Sequence, residues 1–445
     1  MEILSRFSQD TEVALVYFYP KHELREEFQR AGIRLFFLDI PETYHFGKAV
    51  LRLVKLIRKE KPDLLISCLW RADMITRMAS WITGVPLVGT LVNDSYSPIA
   101  WKDKKGLKYK IVYGLDRWTS KIPVHWIANA QALVDSHIKT LGLDPEKISV
   151  VYRGRSVPEG NVIAREERPA CPELDSGKQS SNEFKGFKEE IASATKSLSE
   201  NSSLQESSLA MTRNSPTRSV SPQSEITASS PQSVSSQTGI PIRNFISYGR
   251  LLERKGFQDA INAFAKVLSS YRDCTLTIFG DGPYRKELEK LVQVLELQNS
   301  VFLPGKISNP MEVLLNGYFL PERDNQLPTT DNRQPTTAHC FLFPSWYEGF
   351  SGALVEAMMA RMPIIASDIS MNLEAVEKEK TALIYPATNP DELAQKMLWA
   401  IQNPTQMIVM GEKARELAIR KFDIEKIAKE YEQVLLSILP KLKNR

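Results

Sequence analysis

Along the chain, short apolar runs alternate with stretches in which apolar residues return every three or four positions. The runs at 13–18, 34–38, 64–67, 87–92, 126–128 and 148–151 read as strands in the first half. Those at 245–248, 275–279, 301–303, 340–343, 364–366 and 383–385 read as strands in the second. Helical patterns lie between them, as at 46–60 and 72–83. In the second half Phe257, Ile261, Phe264 and Leu268 share one helical face and predict an amphipathic helix over 256–270. Strand–helix alternation repeated twice predicts an α/β chain of two doubly wound, Rossmann-like domains.

Two segments carry neither period. Residues 158–241 are rich in Ser, Thr, Gln, Glu and Pro and poor in aromatics. The run TRNSPTRSVSPQSEITASSPQSVSSQ at 212–237 cannot bury enough apolar surface to offset its ordering entropy. Disorder is expected there, as an insertion tolerated between domains rather than a tether for a partner. Residues 321–337 (PERDNQLPTTDNRQPTT) form a shorter polar insertion. The expected domains are therefore 1–157 and 242–422, with a C-terminal helix at 423–445.

The 445 residues suffice for two cores. With 57 Lys and Arg against 53 Asp and Glu, the formal charge is +4. This mild excess argues against a dedicated nucleic-acid binder, and suits anionic small molecules or an acidic membrane surface. Cys68, Cys171, Cys274 and Cys340 are scattered, without metal-ligand spacing, and no metal site is expected. No run has the length of a membrane span, and residues 1–10 lack an apolar leader core. A cytoplasmic protein is expected, with any membrane contact peripheral at the inner face.

In doubly wound domains ligands meet the carboxyl ends of strands. After 245–248 come Gly249-Arg250 and then Lys255-Gly256 at a helix start. Two cations beside a helix N-terminus suit a diphosphate, or form a solvated charged loop with Glu253 and Arg254. After 275–279 comes Gly280-Asp281-Gly282-Pro283, better read as a tight turn than as a dinucleotide motif, since no third glycine follows. Gly305, after 301–303, would let a flat base approach the backbone. After 340–343 the loop Pro344-Ser345-Trp346-Tyr347-Glu348-Gly349-Phe350-Ser351-Gly352 leads into a helix carrying Glu356. Small residues there leave helix amides open to an anion. Glu348 and Glu356 could face the hydroxyls of a sugar and a ribose, or be a loop charge and a helix-dipole partner.

Taken together, GR-(x4)-KG, GDGP, PSxYEGF-(x5)-E and MPIIASDIS resemble the retaining GT-B glycosyltransferases of family 4, in which two Rossmann-like domains face a cleft. The resemblance runs from about 245 to 422, and more weakly over 12–155. It implies that Arg250 and Lys255 neutralise a leaving diphosphate, Glu356 binds the ribose and Glu348 contacts the donor sugar. Gly349 and the amides of Phe350, Ser351 and Gly352 would lie near phosphates and sugar. It also implies a nucleotide-sugar donor, a saccharide or lipid-linked acceptor, and no metal or other cofactor.

The chain departs from that pattern in its first half. The opening strand and Gly-rich loop of the family are missing. Residues 1–8 read as the tail of the helix that would follow them, and 13–18 as the second strand. The sequence suggests either a start further upstream or a sheet that closes differently. Where many relatives place a His after the 87–92 strand, this chain has Asn93-Asp94, which could hydrogen-bond the reacting sugar or simply turn the chain. The basic, aromatic stretch at 101–110 could rest on anionic lipid or be a solvated loop. The alternative function is a catalytically degenerate GT-B protein that binds nucleotide or a partner.

Overall fold

The computed structural model describes residues 3–19, 25–40, 45–101, 104, 106–158, 240–316 and 338–443. The expected insertions at 158–241 and 321–337 lie almost wholly outside the described residues. The first half runs β1 (Ala14–Tyr17), α1 (Arg25–Arg30), β2 (Arg34–Phe37), α2 (Phe46–Glu60), β3 (Leu65–Ser67), α3 (Trp70–Thr83), β4 (Leu87–Leu91), α4 (Pro98–Trp101), α5 (Leu107–Thr119), β5 (His125–Ala128), α6 (Gln131–Leu141) and β6 (Ile148–Val150). The second runs β7 (Ile242–Tyr248), α7 (Phe257–Ser270), β8 (Thr275–Phe279), α8 (Arg285–Val294), β9 (Val301–Gly305), α9 (Pro310–Asn316), β10 (Ala338–Phe343), α10 (Gly352–Met359), β11 (Ile364–Ser367), α11 (Ser370–Ala375), β12 (Leu383–Tyr385), α12 (Pro390–Gln402), α13 (Pro404–Phe422) and α14 (Ile424–Lys443).

Each of the twelve apolar runs is a strand, and the strand pairings are all parallel. β7 begins before the predicted 245 because its polar start is satisfied by neighbours. Arg243 pairs with Asp273 at 2.7 Å, and Asn244 Oδ1 accepts from Thr275 Oγ1 at 2.8 Å.

The second-half sheet has the order β12-β11-β10-β7-β8-β9. Its strands are apolar on both faces, as a covered parallel sheet requires. Cys340 and Leu342 of β10 join Phe257, Phe264 and Met397 of α7 and α12 on one side. Phe341 and Phe343 join Leu354, Met358 and Leu417 of α10 and α13 on the other. Strand order reverses between β7 and β10, so their carboxyl ends open a crevice at the switch point.

The first half is split. Among the described residues β1 and β2 pair only with each other, and β3-β4-β5-β6 form a separate sheet. The two pieces share the core of α2 and α3, where Val16 and Leu65 both pack against a cluster that includes Leu53, Val54 and Ile75. β1 and β3 thus each stand at the edge of a sheet. The expected helical tail at 1–8 is a single 3-10 turn, Leu4–Arg6.

The C-terminal helix is integral to the first half. After α13, the chain bonds to Arg155, whose amide donates to Phe422 O at 2.8 Å and whose carbonyl accepts from Ile424 N at 3.1 Å. Helix α14 then lays Ile427, Leu435 and Ile438 against Val88, Ile127 and Val151. Glu432 accepts from the amide and hydroxyl of Ser8 at 3.0 and 2.8 Å.

Candidate functional site

The loops after β7 and β10 meet at the switch point. Gly256 takes a left-handed φ of +67° between the 3-10 turn Glu253–Lys255 and α7. A Cβ there would stand 2.0 Å from Pro344 O, so only glycine lets the two loops close to this distance. The Trp346 amide donates to Arg254 O at 2.8 Å, and its indole N–H donates to Asp259 Oδ2 at 2.6 Å. Burial raises the Asp259 carboxyl above its ordinary range, and the indole donor works against that shift.

This clamp brings Lys255 and Glu348 together. Lys255 Nζ donates to Glu348 Oε1, which also accepts from Ser345 Oγ at 2.8 Å. Both side chains are largely buried, with 17% and 11% exposed. Arg254 lies 4.8 Å from the centre of the Tyr347 ring.

Glu356 sits on the second turn of α10. Arg155 Nε donates to its Oε1 at 2.5 Å, and Tyr248 OH donates to its Oε2 at 2.5 Å. Burial first, then the Glu356 carboxylate, pushes the Tyr248 phenol far above its usual range, so it remains a donor. The Arg155 guanidinium fills the space over Gly352, where a Cβ would stand 1.7 Å from Nη2. Arg155 and Tyr248 were not among the residues singled out from the sequence. Tyr248 directly precedes Gly249, but an aromatic closing a buried strand reads as core. Arg155 lies in the other half, and no local spacing links it to Glu356.

Arg250 lines a cavity of about 560 Å³ beside this cluster, with Tyr248, Gly249, Phe279, Gly280, Asp281, Gly282, Lys306, Ile307 and Pro310. Gly280 and Gly282 serve close packing, as the turn reading expected. Their Cβ atoms would lie 1.9 Å from Gly249 O and 2.3 Å from Leu251 O. Gly305 has φ +97°, with open space where a Cβ would be. Its carbonyl accepts from Gly280 N at 2.7 Å.

The remaining candidates divide. Gly349 abuts the first half, with a Cβ placed 1.9 Å from Val92 O and 3.4 Å from Asn93 Oδ1. Asn93 thus stands at the loop carrying Glu348. Asp94 turns toward α6, where its Oδ1 accepts from Ser136 Oγ at 2.7 Å, and its carbonyl accepts from Ser97 Oγ at 3.2 Å. Both bonds hold the turn that follows β4. Ser351 is the N-cap of α10, and its hydroxyl accepts from Leu354 N at 3.5 Å. The Phe350 side chain is core, packed on Tyr152 and Phe422 at 5.4 and 5.3 Å. Among the described residues no group of three or more His, Cys, Asp or Glu side chains could hold a metal.

Two parallel-sheet, Rossmann-like α/β halves, with cations and carboxylates gathered at the switch point of the second, define the class of fold. Residues 242–417 match the family model for glycosyl transferases group 1, and residues 3–157 match that for glycosyltransferase family 4. The chain belongs to the group 1 glycosyltransferases of the GT-B fold.

An uncharacterized glycosyltransferase of Methanocaldococcus jannaschii is 26% identical over 198 residues, 42% of this chain and 43% of that protein. Alpha-D-kanosaminyltransferase of Streptomyces kanamyceticus is 27% identical over 187 residues, 42% of this chain and 44% of that protein. The chain thus spans less than half the length of these relatives. Among solved structures, HepE of Anabaena in complex with UDP superposes with a TM-score of 0.64 at 17% identity, covering 98% of this chain and 95% of that one. Sucrose-phosphate synthase of Thermosynechococcus elongatus gives 0.62 at 15% identity, covering 97% and 90%. Both likenesses concern the fold.

Proposed function

We propose that this chain transfers a sugar, with retention, from a nucleoside-diphosphate donor to a saccharide or lipid-linked acceptor in cell-surface glycan assembly. The observation that carries this reading is the meeting of Lys255 and Glu348 at the switch point, beside the cavity lined by Arg250. A diphosphate in that crevice would meet Arg250 and Lys255, and its developing charge on departure would be stabilised without rearrangement of the loops. Glu348, held by Lys255 and Ser345, presents a carboxylate to the hydroxyls of the donor sugar. Glu356 would accept from the ribose diol, exchanging one of its present partners for it. Gly349, Phe350, Ser351 and Gly352 bring backbone close to the phosphates, Gly305 leaves room for the base, and Asn93 faces the sugar from the first half. Asp94 contributes by shaping its turn.

Similar proteins support the donor class. HepE was solved with UDP and glucose, and a relative from Bacillus anthracis, 26% identical over 190 residues, is an N-acetyl-alpha-D-glucosaminyl L-malate synthase. A lipid-linked acceptor would bring the chain to the inner face of a membrane.

The test is incubation with UDP-glucose and GDP-mannose, with release of UDP or GDP as readout. Lys255→Ala and Glu356→Ala are each expected to abolish release. Turnover unchanged from wild type in both variants removes the assignment. The anomer formed, read by NMR, decides retention. The interrupted first-half sheet favours a second reading, a degenerate protein that binds nucleotide or a partner. Calorimetric binding of UDP or GDP without release from any donor is its signature.

A further inference from the structure

Helix α5 has an inward face fixed by polar contacts. Asp116 accepts from Arg77 of α3 at 2.5 Å, and Thr119 Oγ1 lies 3.0 Å from the same nitrogen. Tyr113 OH donates to Thr140 O at 2.5 Å. The opposite face is apolar and open. Leu107, Ile111, Leu115 and Trp118 follow at steps of four, four and three residues, which places them in one stripe less than a third of the way round the helix. They are 73%, 53%, 45% and 69% exposed. Trp81, one turn beyond Arg77 on α3, is 71% exposed.

Exposed Lys108 and Lys110 flank the stripe on either side. The helix's one acidic side chain, Asp116, is buried against Arg77. An apolar stripe with tryptophan and bordering lysines matches the chemistry of an anionic bilayer surface, where rings sit among headgroups and cations meet lipid phosphates. A second copy pairing through the same stripe would oppose lysine to lysine, with no carboxylate on this helix face to relieve them.

We propose that α5, with Trp81 beside it, docks this chain on an anionic lipid surface. The contact takes in the end of the stretch at 101–110, from Leu107 to Lys110, and continues along the outer face of α5. Trp101 itself is held among Tyr96 and Tyr113, 5.1 and 6.1 Å away, and its ring carries Lys104 at 5.0 Å. The docking proposal does not depend on sugar transfer, so its failure leaves the transfer reading standing.

The experiment is flotation of the full chain with vesicles of phosphatidylcholine alone, or with about one third phosphatidylglycerol. Wild type is expected to float with the anionic vesicles, more weakly with neutral ones, and to be released by salt. Ile111→Glu combined with Trp118→Glu is expected to weaken binding by at least about tenfold without changing the thermal midpoint. Lys108→Glu combined with Lys110→Glu, which leaves the apolar stripe intact, is expected to remove the preference for anionic vesicles. Brominated lipid is expected to quench fluorescence of wild type more than of Trp118→Phe. Absence of wild-type flotation, or flotation of both double variants equal to that of wild type, overturns the proposal. So does a wild-type dimer that Ile111→Glu disperses while no vesicle binding is seen.

Discussion

Arg155 of the first half and Glu356 of the second form an ion pair of 2.5 Å, with 13% and 20% of their side chains exposed. Glu356 retains Tyr248 when the arginine is removed. Arg155→Ala is therefore expected to lower stability by about 2 kcal/mol, less than an entirely buried pair would lose. Glu356→Gln keeps an acceptor oxygen for only one of the two donors and leaves the Arg155 charge unpaired, so it is expected to cost at least as much. Urea unfolding of the two variants checks the order. Superimposable curves for Arg155→Ala and wild type would remove the energetic role of this pair.

Lys255 offers the seat a charge-assisted bond for a phosphate oxygen. Its replacement by alanine is expected to weaken UDP or GDP, whichever binds, by roughly ten- to a hundredfold. Calorimetry on folded variant protein measures this directly, and an unchanged affinity places the diphosphate elsewhere.

Two glycines separate crowding from backbone strain. Gly256 and Gly305 both have positive φ, but only at Gly256 would a Cβ meet another loop, 2.0 Å from Pro344 O. Gly256→Ala is expected to destabilise by about 2–4 kcal/mol, and Gly305→Ala by about 1–2. Thermal denaturation ranks them, and the reverse order contradicts the loop clamp.

Asp73 on α3 is buried, and burial pushes its carboxyl from 3.8 to about 6, with Arg77 opposing and Asp116 adding to the shift. The folded state thus holds a proton that the unfolded chain has lost between those values. The contribution of this group to stability therefore falls as pH rises from about 4 to 6, by up to about 3 kcal/mol. Asp73→Asn is expected to lack that decline, so its stability relative to wild type increases over this range. A constant difference between the two proteins from pH 4 to 7 would show that Asp73 titrates normally.

Strands buried on both faces leave continuous apolar runs, which made the alternation and the two-domain plan legible. The loop motifs were legible because glycines and charges follow strand ends at fixed spacing. What stayed hidden depends on contacts across large separations. The partner of Glu356 is Arg155, 201 residues earlier. Asp94 accepts from Ser136 on α6, 42 residues later, a partner that no local spacing marks. Nor could the reversed amphipathicity of α5 be read locally, since periodicity names a face without saying whether a core covers it.

The placement of α14 sets a condition on synthesis. Residues 424–443 supply Ile427, Leu435 and Ile438 to the layer over Val88 and Ile127, which a ribosome makes some three hundred residues sooner. The first half emerges from the exit tunnel with that layer bare, and it stays so until the last helix is released. The second half, made later, is free to complete its own sheet first. In this chain the half that is made first depends for its completion on a helix made after the other half.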